Sequence, residues 1–485
     1  MGWQPGGAPP PPPPVPPHGP PPAPWERPPP PAGPGRPPRG TVVAVLAVAL
    51  AIALAGDAIM ALQLKQDSDD QKAMRAQIAT MQDEIDTLHR QQPRDATTIL
   101  GRIAAAVEQI RRLHFLKAVK PEFLTDDELA ARVEQDFRAS SPRAKIEQTD
   151  AVLTALGLLG PRDDLYDIDV GVVREQVAGF YDSRTGQLVV GGDGATPSPL
   201  DQVLLAHEYV HALTDEHYML NRLDTLEASG KDDEAEAFRS LIEGDATVMM
   251  FQYAQKYLTP SDRTEVSKEA DAAPSQRLES APKALRAALL FPYDEGRQFV
   301  QSLIDAGGIS ALNKAYRDPP TSTEQILHVD KYLGNRDEPK PVQVPKLAAT
   351  MGAGWTDLPG GGVGELDVRL IVDQFLSNSD GEAAGSGWGG GRYTAAGSQD
   401  GAVVAALTDW DSVTEARQAA DIFARWLPAR YGNQGSDVRI SGATGRGWTS
   451  SNGAGSVTRS GTKLLLIVGP DQGSVERART AFPGF

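Results

Sequence analysis

The spacing of apolar positions changes character several times along this chain, and each change marks a segment. Residues 1–40 have no apolar period; proline and glycine fill them, as in PPPPPPVPPHGPPPAPWERPPPPAGPGRPPRG. Such a tract samples extended polyproline conformations and cannot build a core. Residues 41–64, TVVAVLAVALAIALAGDAIMALQL, are apolar throughout except for Asp57 and a few small or polar positions. At about 1.5 Å per residue, that run is long enough to cross a bilayer of about 30 Å. It predicts a transmembrane helix. Arg27, Arg36 and Arg39 precede it, while Asp67, Asp69 and Asp70 follow. The positive-inside rule then leaves the tail in the cytoplasm and the bulk of the chain outside, as a single-pass protein of the cell membrane. Ala53-Leu54-Ala55 offers a signal-peptidase alternative. A leader this long and proline-rich favours a retained anchor, and either reading exports the rest.

Beyond the anchor the period becomes helical. Met74, Ile78, Met81, Ile85 and Leu88 step by four and three, and Ile99, Ile103, Ala106, Ile110 and Leu113 repeat the pattern after Pro93. That is coiled-coil spacing. It predicts a helical stalk over 65–115 that could join two chains, with packing of two amphipathic helices on the globular part as the alternative. From residue 116 the pattern is globular. Thr125, followed by Asp126, Asp127 and Glu128, caps a helix, and another covers 147–160. The β-rich runs around Ser183-Arg184-Thr185-Gly186 predict a hairpin over 177–190. Long helical stretches follow at 199–218, 235–258 and about 280–316.

Glycine and proline return near 345–365 and suggest a boundary at about 340. Past it the order reads helix 365–376, a glycine-rich hairpin at GSGWGGGRYT, strand 403–407, helix 413–427, strands 438–441 and 463–469, and helix 474–482. This is a small α+β unit over 341–485. Residues 116–340 form an α+β segment dominated by helices.

Composition narrows the function. The net charge is −17, with no basic face to grip nucleic acid. There is no cysteine, so a bound metal must be held by His, Asp or Glu. The candidate is LLAHEYVHALTDEHY, residues 204–218. Ser198, Pro199 and Asp201 mark a helix start, so His207 and His211 lie one above the other on one face. Glu208, about 100° around the helix, can reach a water on an ion held there. Catalytic zinc takes three protein ligands and leaves a position for water. Glu243, in LIEGDA on the 235–258 helix, is the preferred third ligand. Asp245 and Asp215 are the alternatives, either of which could instead orient a histidine. Gly244 beside it suits a close approach of two helices. His217 reads as structural or surface. The hairpin over 177–190 could hold an extended peptide as an added strand.

His207-Glu208-Tyr209-Val210-His211 followed by Glu243-Gly244-Asp245-Ala246 resembles the gluzincin group of zinc metallopeptidases, in which a glutamate on the next helix is the third ligand. Phe291-Pro292-Tyr293-Asp294-Glu295-Gly296 and Ser322-Thr323-Glu324-Gln325-Ile326-Leu327-His328 are similar to a bacterial membrane-anchored or secreted branch of that group. The resemblance covers roughly residues 116–335. It implies a helix-rich zincin-like domain, a Zn2+ cofactor, a peptide or protein substrate, and Glu208 as general base. The aminopeptidase G-x-M-E-N signature is missing, which points to an endopeptidase. His328, Tyr332 and Tyr293 are candidates for a second oxyanion donor, His328 foremost. The non-catalytic alternative is a cell-envelope peptide-binding protein on the same scaffold; a zinc hydrolase of other amides or esters is a third reading.

Overall fold

The computed structural model describes residues 96–175, 179–192, 197–272, 276–432, 435–438 and 444–485. Helix α1 (Ala96–Arg111) opens it. Its seam of Ile99, Ile103, Ala106 and Ile110 is buried, packed against the long helices that follow rather than against a second chain. Strand β1 (Pro121–Leu124) leads into α2 (Asp126–Ser140), which starts on the expected capping box between Thr125 and Glu128. Helix α3 (Arg143–Leu156) stops at Gly157, whose φ of 79° needs a residue without Cβ strain. Helix α4 (Leu165–Glu175) precedes the hairpin of β2 (Gly179–Asp182) and β3 (Gln187–Gly191). The sheet order is β1-β3-β2, with β1 parallel and β2 antiparallel to β3. Alternate residues serve two cores. Tyr181, Leu188 and Val190 face the long helices, whereas Phe180 and Val189 face Leu129, Val133 and Phe137 of α2.

Helices α5 (Pro199–Tyr218), α6 (Arg222–Ala228), α7 (Asp232–Tyr257), α8 (Pro260–Ala272) and α9 (Lys283–Arg317) follow, then the short α10 (Thr323–Leu327). Helices α1, α5, α7 and α9 share one core. Beneath it lies a buried ion pair. The Arg111 Nε donates to Asp245 Oδ2 at 2.9 Å, both side chains fully buried. Tyr316 donates its hydroxyl to the same oxygen at 2.9 Å, and Arg111 reaches Asn313 Oδ1 at 2.6 Å. Three helices are thereby tied at one point.

The C-terminal part contains β4 (Thr356–Gly362), α11 (Glu365–Asp373), α12 (Asn378–Gly385), β5 (Trp388–Ser398), β6 (Gly401–Trp410), α13 (Val413–Tyr431), β7 (Ser436–Val438), β8 (Thr444–Ser450), β9 (Gly453–Ser460), β10 (Lys463–Gly469) and α14 (Gln472–Arg479). Its strands form one seven-stranded antiparallel sheet, ordered β4-β5-β6-β10-β9-β8-β7. Leu464, Leu466 and Val468 turn to α13, and Leu465 and Ile467 turn to α14. Val152 and Leu156 of α3 enter the α13 side, while its Ile146 packs with Phe137 and Phe180, so α3 joins this core to the one under α2.

These features correct the fold expected from the sequence. The architecture is mixed helix and sheet with a large antiparallel sheet, not a zincin-like helical domain with a small α+β appendage. The expected membrane-spanning helix at 41–64 lies outside the described residues. Among the described residues, no helix is long and apolar enough to cross a membrane. Single-pass anchoring, with the tail cytoplasmic and the rest extracellular, therefore finds no support. The 99–113 seam is a core stripe, not a coiled-coil stalk, because its apolar face already meets α5 and α7. The first seam, 74–88, and the proline tail lie outside the described residues. The GSGWGGGRYT stretch forms no hairpin; Ser386 and Gly387 turn between α12 and β5, and the rest from Trp388 is the first part of β5. A Cβ on Gly390 or Gly391 would press on the Lys340 or Val363 backbone, so the glycines permit close crossing rather than reversal.

Replacing Arg111 alone leaves the Asp245 charge buried and unmatched. Arg111→Met should cost about 3–5 kcal/mol of unfolding free energy. Arg111→Met with Asp245→Leu should recover most of it, as measured by denaturant titration.

Candidate functional site

Helix α5 starts as its sequence requires. Ser198 accepts from the Asp201 N–H, Asp201 accepts from the Ser198 N–H at 2.8 Å, and Pro199 occupies the first turn. The helix then runs unbroken through both histidines. Residues 203–214 are all buried, so the imidazoles point into protein. His207 Nε2 and His211 Nε2 lie 2.9 Å apart, and Glu243 Oε2 of α7 lies 3.3 Å from each. Tetrahedral zinc with bonds of about 2.0–2.1 Å spaces its donors about 3.3–3.4 Å apart. Among the described residues, His207, His211 and Glu243 form a buried three-donor group that could hold a metal ion. Glu243 Oε2 is shared between the two imidazoles, and His207 Nδ1 is buried without a hydrogen-bond partner. Another three-donor group among the described residues, Glu324, Asp337 and Asp411, is only partly buried and already surrounds the Lys331 ammonium, 3.0 Å from Asp337 and 3.2 Å from Asp411.

Charge in the group is tightly coupled. Burial opposes ionisation of Glu243, yet His211 and hydrogen bonds from both imidazoles hold its carboxyl at about 2. Burial likewise opposes charge on His211, but the Glu243 carboxylate outweighs it and pushes the ring up to about 9. On His207 burial dominates, and its pKa falls. Glu208 is 2% exposed, and burial above all pushes it up to about 8. Its Oε2 accepts the Tyr181 N–H of β2 at 2.8 Å, while Oε1 is buried and unpartnered. One oxygen is thus anchored to a strand and the other is left for chemistry.

The glycine beside Glu243 does allow a close approach, but to α9 rather than α5. A Cβ on Gly244 would run into the Gly296 carbonyl, and one on Gly296 into the Ser240 carbonyl. The two helices cross backbone to backbone there. One turn back on α9, Tyr293 is fully buried and its hydroxyl hydrogen-bonds Glu243. Burial, then the Glu243 charge, raise its pKa far above the ordinary value, so it remains a donor.

The other candidates are placed elsewhere. His328 Nε2 lies 3.1 Å from Glu365 Oε1, with Arg369 on the same carboxylate. None of its bonds goes to the three donors or Glu208. Tyr332 donates to the Asp318 carbonyl at 2.8 Å. Asp215 accepts from the Tyr181 hydroxyl at 2.9 Å and the Leu220 N–H at 2.8 Å. Asp245 is held by Arg111 and Tyr316. His217 is half-buried, bonded to the His114 carbonyl at 2.9 Å. Sequence reasoning missed Tyr181, Tyr316 and Arg111. An arginine that ends an amphipathic helix carries no mark of burial, and a strand's N–H aimed at Glu208 is a tertiary fact.

Comparison with known proteins adds one likeness, away from this cluster. A family model described as a domain of unknown function (DUF8575) matches residues 357–479, well under half of the chain. No curated protein and no solved structure matches the chain.

Two outcomes follow. Gly244→Ala should lower stability by about 1–3 kcal/mol or more and weaken ion binding, because the clash is with backbone; thermal unfolding with and without zinc reads both. Ion binding must displace the His211 proton. Apparent zinc affinity should therefore rise about tenfold per pH unit below a plateau near 9, by competition with a chromophoric chelator.

Proposed function

We propose that the protein is a zinc-dependent hydrolase of peptide bonds. The observation that carries this reading is the buried convergence of His207, His211 and Glu243, with donors 2.9–3.3 Å apart and the half-satisfied Glu208 carboxylate on the same helix. Zinc held by these donors would act as a Lewis acid, lowering the pKa of water and polarising a carbonyl. Glu208 is the general base. With Oε2 held by Tyr181, Oε1 takes the proton of the attacking water and then passes it to the leaving amine. Tyr293 orients Glu243 through its hydroxyl, and the α7–α9 crossing keeps that contact short of water. Strand β2 supports a peptide as substrate. It is one edge of the three-stranded sheet, and with its Tyr181 N–H given to Glu208, an extended chain added there would pair with the remaining edge groups of β2 near the general base.

Glu208→Gln tests this. It should leave zinc content unchanged and lower turnover of a diverse peptide mixture by about 100-fold or more, read by mass spectrometry. Equal turnover by both forms would remove Glu208 from the mechanism. Zinc binding without cleavage by either would favour the non-catalytic peptide-binding reading.

A further inference from the structure

A pocket of about 60 Å³ opens beside the three donors, with His211 and Glu243 in its wall. That is space for roughly four waters, or the stem of one long side chain. Leu220, Leu223 and Ile242 supply apolar walls. The polar lining is unequal. Asp182 and Arg184 neutralise each other: Arg184 Nε reaches Asp182 Oδ1 at 3.0 Å, and Nη2 reaches Oδ2 at 3.1 Å. Asp224, at the pocket wall on α6, is half-buried and makes no hydrogen bond or ion pair with any described residue. Glu227, one turn further on, is already taken by Arg239.

We propose that this pocket is a specificity subsite for a basic side chain of the substrate, lysyl or arginyl, with Asp224 as its carboxylate partner. The inference rests on the hydrolase reading and names the substrate class of that site. A carboxylate drawn into a pocket with no direct hydrogen bond or ion pair costs free energy that an incoming cation can return by direct contact. The apolar walls suit the methylene stem of such a side chain, whose charged head alone needs polar company. Burial first, then the Glu227 charge, push the Asp224 carboxyl up to about 6, against partial relief from the Arg184 and Arg239 charges. Arg184 does not make the pocket a receptor for acids, because its guanidinium is spent on Asp182.

The test uses the full chain loaded with zinc and blocked peptides of alanine, glycine and serine that differ at one position: Lys, Arg, Leu or Glu. Cleavage is read by mass spectrometry. Binding of the same peptides, fluorescein-labelled, is read by anisotropy on Glu208→Gln protein. Lys and Arg peptides should be cut and bound about tenfold better than the Leu peptide, at a fixed step from the basic residue. Asp224→Asn should erase that ratio, and Asp224→Lys should turn the preference to Glu. Circular dichroism and zinc content confirm that the variants fold. Cleavage without a basic preference, or with one that neither variant changes, overturns the subsite and leaves the hydrolase. A wild-type preference for Glu also overturns it. Asp224-dependent binding of basic peptides with no cleavage by any form supports the subsite and sinks the hydrolase. Neither binding nor cleavage sinks both.

Discussion

Charge removed from water must be matched, and the helical half of this protein is organised by that demand. His207, Glu208, His211 and Glu243 are each 5% exposed or less. Four such groups on two packed helices would tear the core open if left alone. Instead each meets a counter-charge or a donor. Glu243 faces both imidazoles and Tyr293, Glu208 takes a strand N–H, and Asp245 below them takes Arg111 and Tyr316. Buried side-chain atoms left without a hydrogen-bond partner include Glu208 Oε1 and His207 Nδ1 in the cluster, and Arg111 Nη2 and Asp245 Oδ1 at the ion pair. The convergence of three donor atoms at one point is what makes the cluster look like a site rather than a packed core.

Matching at such short range needs helices closer than ordinary side chains allow. Gly244 and Gly296 meet that need by letting α7 and α9 touch along their backbones. Because Tyr293 and Gly296 sit three residues apart on one face of α9, the same contact that closes the gap delivers the hydroxyl to Glu243. A glycine that costs helix propensity is retained where it shortens an electrostatic distance.

The C-terminal unit bears on the helix that carries Glu243 from its other end. Asp232 and Asp233 begin α7. Asp232 accepts the Gly362 N–H at 3.1 Å, and Asp233 accepts the Thr323 N–H at 3.1 Å and its hydroxyl at 2.6 Å. Thr323 in turn accepts the Leu366 N–H at 3.2 Å. Carboxylates at a helix start also suit its dipole. The segment that matches the domain of unknown function thus takes part in holding the helix that carries Glu243, although it contributes none of the three donors.

Local chemistry by itself determined the site helix, its start at Ser198, the shared face of His207 and His211, and the hairpin before them, because caps, turns and period act within a few residues. It also put Glu243 on the next long helix. The sheet strands β8 and β9 were hard to see by periodicity, since apart from Trp448 and Val457 their buried positions are Gly, Ala, Ser and Thr; a Cβ on Gly455 would press on Leu427 of α13, so small residues there let the helix lie close. The 99–113 seam had a legible stripe but no legible partner. Only tertiary packing decided that it faces α5 and α7, that Arg111 is buried, that Tyr181 holds Glu208, and that His328 pairs with Glu365 instead of joining the cluster. Those outcomes depend on contacts between residues tens to hundreds of positions apart, whose free energy no local pattern encodes.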